Sequence, residues 1–173
     1  MKAYYYHDDG THMTLPHIAP DRPALTPSAL AAIGLHHQII TDPEMLEVIC
    51  KERGYVARDT ILIDNKFSEA QLSKFFEEHL HEDEEVRYVT DGEGFFDARD
   101  ANDEWFRMHV SAGDLIILPA GIFHRFTPTE TRYIAATRLF KDNPSWVPIN
   151  RPDATDNEVR KIYEDKVTRH VPF

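Results

Sequence analysis

Two segments of the chain decide its fold: HLHEDEEVRYVTDGEGFFDAR at residues 79–99 and GDLIILPAGIFHRF at residues 113–126. Both contain short runs rich in β-branched and aromatic residues, separated by turn residues such as Asp91-Gly92 and Ala112-Gly113-Asp114. Many short, closely spaced strands are typical of an antiparallel barrel or sandwich, so we expect a mainly β core. The strands predicted on this pattern are residues 86–89, 94–98, 105–110, 115–118, 123–127 and 133–139.

Helix start signals flank this β-rich region on both sides. They are Thr26-Pro27, Asp42-Pro43, the capping-box pair Ser68 and Gln71, and the similar pair Thr155 and Glu158. Nothing in the composition resembles a linker or a repeat. We therefore expect a single domain over residues 1–173, with a helical part at about 1–78, a β-barrel core at about 79–140, and a C-terminal helix and tail at 141–173.

Three residues of the first segment, His79, His81 and Glu85, have the same parity along the chain. On a strand this parity puts side chains on one face. Four residues of straight strand span about 13 Å, however, which is too far for ligands of one metal ion. We therefore predict a bend at the acidic residues 82–84, after which Glu85 faces the two histidines and Arg87 lies on the same face.

A fourth ligand is expected from the second segment. Residues 115–118 form an apolar strand pattern and Pro119-Ala120-Gly121 a turn, so His124 begins the returning strand, with Phe126 on its face. Three neutral imidazoles and one carboxylate suit Fe²⁺, Ni²⁺, Mn²⁺, Co²⁺ or Zn²⁺. With four protein ligands, an octahedral ion keeps two open positions. The divalent ion and its one carboxylate ligand together carry a net charge of about +1, and Arg87 adds another positive charge. Such a site favours an anionic chelating substrate.

The composition of the chain limits its partners and its location. The chain has 19 Lys and Arg residues and 30 Asp and Glu residues, which gives a net charge of −11. This charge disfavours nucleic-acid and membrane-surface binding. The single cysteine, Cys50, excludes an intrachain disulfide and is interpreted as a buried hydrophobe. With no signal peptide or membrane span in sight, we expect a cytoplasmic monomer. A nuclear pool is the alternative, since a 20.0 kDa protein could diffuse there.

The two ligand-bearing segments resemble the two sequence motifs of the cupin superfamily. The matching residues are His79, His81, Glu85 and Gly92 in the first motif, and Gly113, Pro119, Gly121 and His124 in the second. Two positions depart from the motifs, because Ser73 stands in place of a glycine and Pro128 in place of an asparagine. Neither position is a ligand in the pattern. The resemblance implies a cupin-type antiparallel β-barrel, a double-stranded β-helix or jelly roll, with peripheral helices.

The segments look most like those of acireductone dioxygenases. The likeness covers most of the chain, from Leu15-Pro16-His17 to Asn150-Arg151-Pro152. It implies oxygen-dependent cleavage of the acireductone 1,2-dihydroxy-3-keto-5-methylthiopentene in methionine salvage, on one Fe²⁺ or Ni²⁺ per chain. With Fe²⁺ the expected products are 4-methylthio-2-oxobutanoate and formate. With Ni²⁺ they are 3-methylthiopropanoate, formate and carbon monoxide.

The resemblance also assigns roles to residues around the metal. Arg87 matches the family arginine that supports the bound anion, and the alternative is a salt bridge at the rim with Glu84 or Asp91. Phe75 and Phe126 are candidate walls for the methylthio tail. For Phe75, ordinary packing of a helix on the barrel is an equal alternative.

Other roles and functions stay open from the sequence. Glu85 is expected to be a ligand first, and a role as a base is the alternative. Among the ten histidines, His109 is the strongest competitor as a ligand, but its parity with Arg107 suggests an exposed, structural residue. We interpret His17 as solvated and His36-His37 as surface residues whose side chains would point apart on a strand. The chain could also be a cupin of other chemistry, such as an isomerase, which needs no oxygen. A non-catalytic metal-binding cupin is the third alternative, and it would not need open coordination positions.

Overall fold

The chain is built mainly of β-strands, with short helices at its periphery. The computed structural model describes residues 1–142 and 147–173. Its strands are β1 (Lys2–Tyr5), β2 (His36–Ile39), β3 (Ala57–Ile63), β4 (His79–Leu80), β5 (Glu85–Arg99), β6 (Trp105–Ser111), β7 (Asp114–Leu118), β8 (His124–Pro128), β9 (Ile134–Phe140) and β10 (Ile149–Asn150). Its helices are α1 (Pro27–Ala32), α2 (Pro43–Arg53), α3 (Glu69–Phe75), α4 (Arg151–Ala154) and α5 (Glu158–Arg169).

The named strands pair in an antiparallel manner and form two layers that share β5. One layer has the order β1-β6-β5-β8-β4-β10, and the other has the order β2-β7-β5-β9-β3. The first half of β5 pairs with β7 and β9, whereas its second half pairs with β6 and β8. The order within each layer is open, because neither set of strands returns to its starting strand. The prediction of an antiparallel β core with peripheral helices is confirmed.

The strand β5 is longer than the sequence predicts. We expected a turn at Asp91-Gly92 between two short strands, and this prediction is wrong. The strand continues through both residues, with a register shift in its pairing to β9 between Val89 and Asp91. Gly92 has a φ of 70°, which a bulge can absorb inside a strand. The irregularity lies where β5 passes from one layer to the other.

The predicted helical part at residues 1–78 is only partly helical. It contains α1, α2 and α3 as expected, but it also contains β1, β2 and β3, which join β6, β7 and β9 respectively. The β core therefore extends well beyond the predicted 79–140. Of the predicted C-terminal part, residues 143–146 lie outside the described residues, and α5 supplies the expected helix.

The helices begin at the predicted start signals, with one exception. Thr26 and Asp42 accept backbone N–H bonds at the starts of α1 and α2, and the capping box of Ser68 at α3 is complete. Thr155 does not begin α5; its hydroxyl bonds back to an α4 carbonyl. Asn157 is the N-cap instead, since its side chain accepts from two backbone N–H groups of α5.

The main apolar core lies between the two layers. It contains Leu72 of α3, Phe106 and Met108 of one layer and Ile116 of the other, and all four are at most 1% exposed. Each fully buried side chain of this size contributes about 1.5–3 kcal/mol through burial. Cys50 is buried in a second apolar cluster beside α2, as expected. Among the described residues, no helix has the length and apolar character needed to cross a membrane.

Candidate metal centre

Four side chains that are distant along the chain meet at one end of the space between the layers. They are His79, His81, Glu85 and His124, and one potential ligand atom from each lies within 4.8 Å of those of the others. The imidazole centroids are 5.0 Å (His79–His81), 4.5 Å (His79–His124) and 5.3 Å (His81–His124) apart. The four residues expected to share a site are therefore brought together.

The strand pairing and the predicted bend produce this convergence. β4 pairs with β8 so that His79 lies opposite His124. The chain then bends at residues 82–83 before β5 begins at Glu85. As a result, a Glu85 Oε2 atom lies 3.0 Å from His81 Nε2 and 3.4 Å from His124 Nε2. A straight strand could not achieve these distances.

Local hydrogen bonds orient two of the imidazole rings. His79 Nδ1 lies 2.7 Å from the Glu77 carbonyl oxygen, and His124 Nδ1 lies 3.0 Å from that of Ile122. A carbonyl oxygen can only accept, so each Nδ1 carries the proton and each Nε2 keeps a free lone pair. A ring held in this way is the usual arrangement of a metal-bound histidine.

Unpaired buried nitrogen atoms mark the same place. His124 Nε2 and His81 Nδ1 are buried and have no hydrogen-bond partner within the part of the chain that is described. A buried polar atom without a partner is costly, unless something else at the site satisfies it. Together with the donor set of three imidazoles and one carboxylate, these atoms fit a single divalent transition-metal ion.

The protonation states of the site also favour a cation. Burial, helped by the neighbouring His124, lowers the pKa of His79 to about 4, so this imidazole is neutral at pH 7. Burial alone would raise the pKa of Glu85, but Arg87 and His124 outweigh it and hold that pKa well below its usual range. The site thus offers a neutral His79 imidazole and an ionised Glu85 carboxylate, which are the states that bind a metal.

Arg87 points into the site rather than toward the rim. Its Nη2 lies 3.3 Å from Glu85 Oε2, and its Nη1 donates to the Val86 carbonyl oxygen at 3.0 Å. Burial lowers the pKa of Arg87, and the Glu85 carboxylate opposes this effect. The alternative of a rim salt bridge with Glu84 or Asp91 is not observed, because among the described residues Arg87 pairs with Glu85 instead.

A second arginine, Arg138, lies opposite Arg87 in the pairing of β5 with β9 and also lines the cavity. Its guanidinium forms a two-point salt bridge with Asp59 of β3, at 2.6 and 2.5 Å. Neither Arg138 nor Asp59 was predicted to be near the site. Only the strand register brings them there, and spacing along the chain gives no signal for that register.

The four side chains open into a cavity of about 460 Å³ with an apolar far wall. Phe75 and Phe126 both line it, and their rings meet edge-on at a centroid distance of 6.5 Å. Phe75 also packs against the main core, as the alternative of helix packing predicts, and its contact with a methylthio tail stays a prediction. Other apolar residues that line the cavity were not predicted, among them Ile61, Ile63, Phe96, Ile134 and Phe140.

The remaining histidines lie outside this cluster. His109 bonds Glu93 at 2.7 Å and is structural, as predicted, but the reason given was wrong because Arg107 on its face is fully buried. His17 was expected to be solvated and is instead buried, with both ring nitrogens near backbone carbonyl oxygens. His36 and His37 lie in β2 and are half-buried.

Comparisons with known proteins agree with this geometry. The ARD/ARD′ family model matches residues 2–148. Acireductone dioxygenases of Aspergillus fumigatus and Neurospora crassa are 45% and 44% identical over 168 residues, covering 94% of this chain and 94% and 93% of theirs. An acireductone dioxygenase structure from Bacillus anthracis, with a cadmium ion in its active centre, matches with a TM-score of 0.67 at 24% identity, covering 86% of this chain and 96% of that one. This likeness in fold confirms the expected cupin-type architecture.

Proposed function

The chain belongs to the ARD/ARD′ family, and we propose that it cleaves an acireductone with molecular oxygen at one metal ion per chain. The proposed ligands are His79, His81, Glu85 and His124. One chain supplies all four, so we propose that a monomer is sufficient for activity.

One observation carries the proposal. Three imidazoles and a carboxylate converge at the end of a cavity, and two of the buried imidazole nitrogens have no hydrogen-bond partner among the described residues. Arg87 lies against the carboxylate on the cavity side. A purely structural cluster would satisfy its buried nitrogens with protein groups. This one leaves them available, with space beside them for a small anion.

The roles of the side chains follow from their positions. A metal ion held by His79, His81, Glu85 and His124 would supply Lewis-acid chemistry toward a deprotonated acireductone. Arg87 presents its guanidinium to the same end of the cavity and binds the anionic oxygens of the substrate. Glu85 stays ionised because its pKa is held well below the usual range, so we assign it as a ligand rather than as a base.

The apolar wall of the cavity suits the methylthio tail. Phe75 and Phe126 stand between the cluster and the core, and Ile61 and Ile63 extend the wall from β3. A small apolar chain gains about 0.8 kcal/mol for each buried CH₂ group. The same wall excludes water from the oxidation-sensitive substrate.

We propose Fe²⁺ or Ni²⁺ as the resident ion, since both suit this donor set. With Fe²⁺, one carbon of the acireductone leaves as formate and the rest as 4-methylthio-2-oxobutanoate, so the carbon count balances. With Ni²⁺, a second carbon leaves as carbon monoxide, and 3-methylthiopropanoate remains. The keto acid is one transamination away from methionine, which connects the Fe²⁺ reaction to methionine salvage.

Oxygen uptake with a synthetic acireductone tests the proposal. Metal-stripped protein is reloaded with Fe²⁺ or Ni²⁺ under nitrogen, mixed with the substrate and then exposed to oxygen. We expect uptake well above the uncatalysed rate, with carbon monoxide only from the Ni²⁺ form. We also expect uptake to fall to the uncatalysed rate after stripping or in His81→Ala. Uptake at the uncatalysed rate with metal bound, or conversion of the substrate without oxygen, would contradict the proposal.

A further inference from the structure

A cluster of charged side chains is centred on Glu78, the residue that precedes His79. The Oε1 atom of Glu78 accepts from Arg99 Nε at 2.9 Å and from Arg151 Nη1 at 2.7 Å, and its Oε2 accepts from Arg99 Nη2 at 3.2 Å. Arg151 also donates to both carboxylate oxygens of Asp103, at 3.0 and 2.6 Å. We call Glu78, Arg99, Asp103 and Arg151 the Glu78 clasp.

The clasp joins three elements that are distant in sequence. Glu78 lies between α3 and β4, Arg99 ends β5, and Arg151 begins α4. Aromatic rings fix both guanidinium groups, because Arg99 stacks on Trp105 at 3.9 Å and Arg151 lies over Phe123 at 4.9 Å. Networks of this kind, with partly buried members and two-point geometry, hold their shape better than isolated surface pairs.

The clasp controls the backbone that orients His79. The carbonyl that accepts from His79 Nδ1 belongs to Glu77, the neighbour of Glu78. The Arg151 backbone N–H donates to the Glu78 carbonyl at 3.1 Å, and the Asn150 side chain donates to the Glu77 carboxylate at 3.1 Å. β4 itself has only two residues, so its own strand pairing restrains His79 weakly.

We propose that Arg151, acting through Glu78, is a positioning residue for the metal centre. It holds the Glu77 carbonyl where that oxygen accepts from His79 Nδ1, and so keeps His79 Nε2 directed into the site. The segment from β10 to α4 is therefore part of the support of the site, although it supplies no ligand. The inference rests on the metal centre proposed above.

The substitution Arg151→Gln tests the proposal through metal affinity. Loss of an outer hydrogen-bond partner of a metal-bound histidine typically weakens binding by about 10–100-fold. We expect the Kd for Ni²⁺, measured by competition with a chelator, to rise about tenfold. Arg151→Lys should restore part of the affinity, because it keeps the charge but loses the planar fork.

A matched control separates positioning from the mere loss of a salt bridge. Arg58→Gln breaks another two-point pair, with Glu47 at 2.8 and 2.9 Å, whose members do not line the cavity. We expect this variant to bind Ni²⁺ like the unaltered chain. Because Arg151 and Glu78 act in one chain of contacts, the double variant with Glu78→Gln should bind little worse than Arg151→Gln alone.

The His79 ring itself gives a readout that does not depend on activity. In the metal-free unaltered protein, ¹⁵N NMR should find the proton on His79 Nδ1, protected from exchange by the Glu77 carbonyl. In Arg151→Gln this protection should fall while thermal unfolding remains cooperative. If Arg151→Gln binds Ni²⁺ as tightly as the unaltered chain, and its His79 signal is unchanged, the inference is wrong and the proposed function stands. If the unaltered chain binds no metal, both are wrong.

Discussion

His79 and His124 lie opposite each other across β4 and β8, with their ring centroids 4.5 Å apart. Each ring donates through Nδ1 to the carbonyl oxygen two residues before it, in Glu77 and Ile122. Both rings are therefore oriented by the same kind of local hydrogen bond, and the pairing of β4 with β8 places the two rings opposite each other. Either ring can be removed without removing a backbone hydrogen bond of the sheet.

This arrangement predicts that His124→Ala abolishes tight metal binding in a folded protein. One of four ligands is lost, so the effect should exceed the roughly 10–100-fold change expected for an outer partner. Chelator competition with Ni²⁺ and urea unfolding of the metal-free protein measure the two properties. His109→Ala is the control, since His109 pairs with Glu93 away from the cluster and should leave affinity unchanged. Equal affinity in both variants would remove His124 from the ligand set.

The depressed pKa of His79 predicts a stability loss in mild acid. The pKa is about 4 in the folded protein against an ordinary value of 6.5, so the unfolded chain takes up the proton first as the pH falls. The metal-free protein should therefore lose up to roughly 3 kcal/mol of unfolding free energy between these two pH values. Protonation of Glu85 lowers the unfolding free energy only at lower pH, because the pKa of Glu85 in the folded protein lies well below 4.5. Urea unfolding across this window measures the loss, which should shrink in His79→Gln. The same slope in both proteins would contradict the assignment.

Arg87 is predicted to act on the substrate rather than on the metal. Its Nη2 lies 3.3 Å from Glu85 Oε2 and faces the cavity. Loss of one donor to a developing anion commonly costs about 100-fold in kcat, so Arg87→Gln should turn over about 100-fold more slowly with its metal content intact. The turnover rate of Arg87→Lys should lie between those of the unaltered protein and Arg87→Gln, since lysine keeps the charge without the planar fork of donors. Metal analysis together with oxygen uptake checks this, and full turnover by metal-loaded Arg87→Gln would contradict it.

The clustering of the four candidate ligands could be predicted from the sequence because the part from His79 to Glu85 is local and the spacing up to His124 matches the second cupin motif. Strand parity and one bend bring Glu85 to the two preceding histidines, and a turn followed by a strand carries His124. Such features depend on neighbouring residues, so spacing reveals them. The strands β1 to β3 could not be predicted in this way, because each is stabilised by a partner that lies far along the chain.

The cavity wall and the clasp were missed for the same reason. Arg138 reaches the site only because β9 pairs with β5 in one register, and a shift by one residue would turn it to the other face. Arg151 meets Glu78 across a separation of 73 residues. The sequence names these residues but does not say which elements meet.

Gly121 connects the turn before His124 to α5. Its φ is +83°, and an added Cβ would lie 2.7 Å from the Val159 carbonyl oxygen and 3.0 Å from Tyr163 Cβ, both of α5. Its N–H donates to the His81 carbonyl oxygen at 3.0 Å, so the turn also contacts the ligand segment. A glycine is required here both for its backbone conformation and for the close approach of the helix.

Gly121→Ala should therefore destabilise the protein by about 3 kcal/mol. The left-handed φ costs a residue with a Cβ about 1–2 kcal/mol, and overpacking against a backbone atom of α5 adds about 1–3 kcal/mol. Gly10→Ala is a matched control: its φ is +73°, but nothing lies within 4 Å of the added Cβ, so only the backbone cost of about 1 kcal/mol remains. Urea unfolding of both variants measures the difference. If they lose the same free energy, α5 moves aside without cost and does not brace the turn that carries His124.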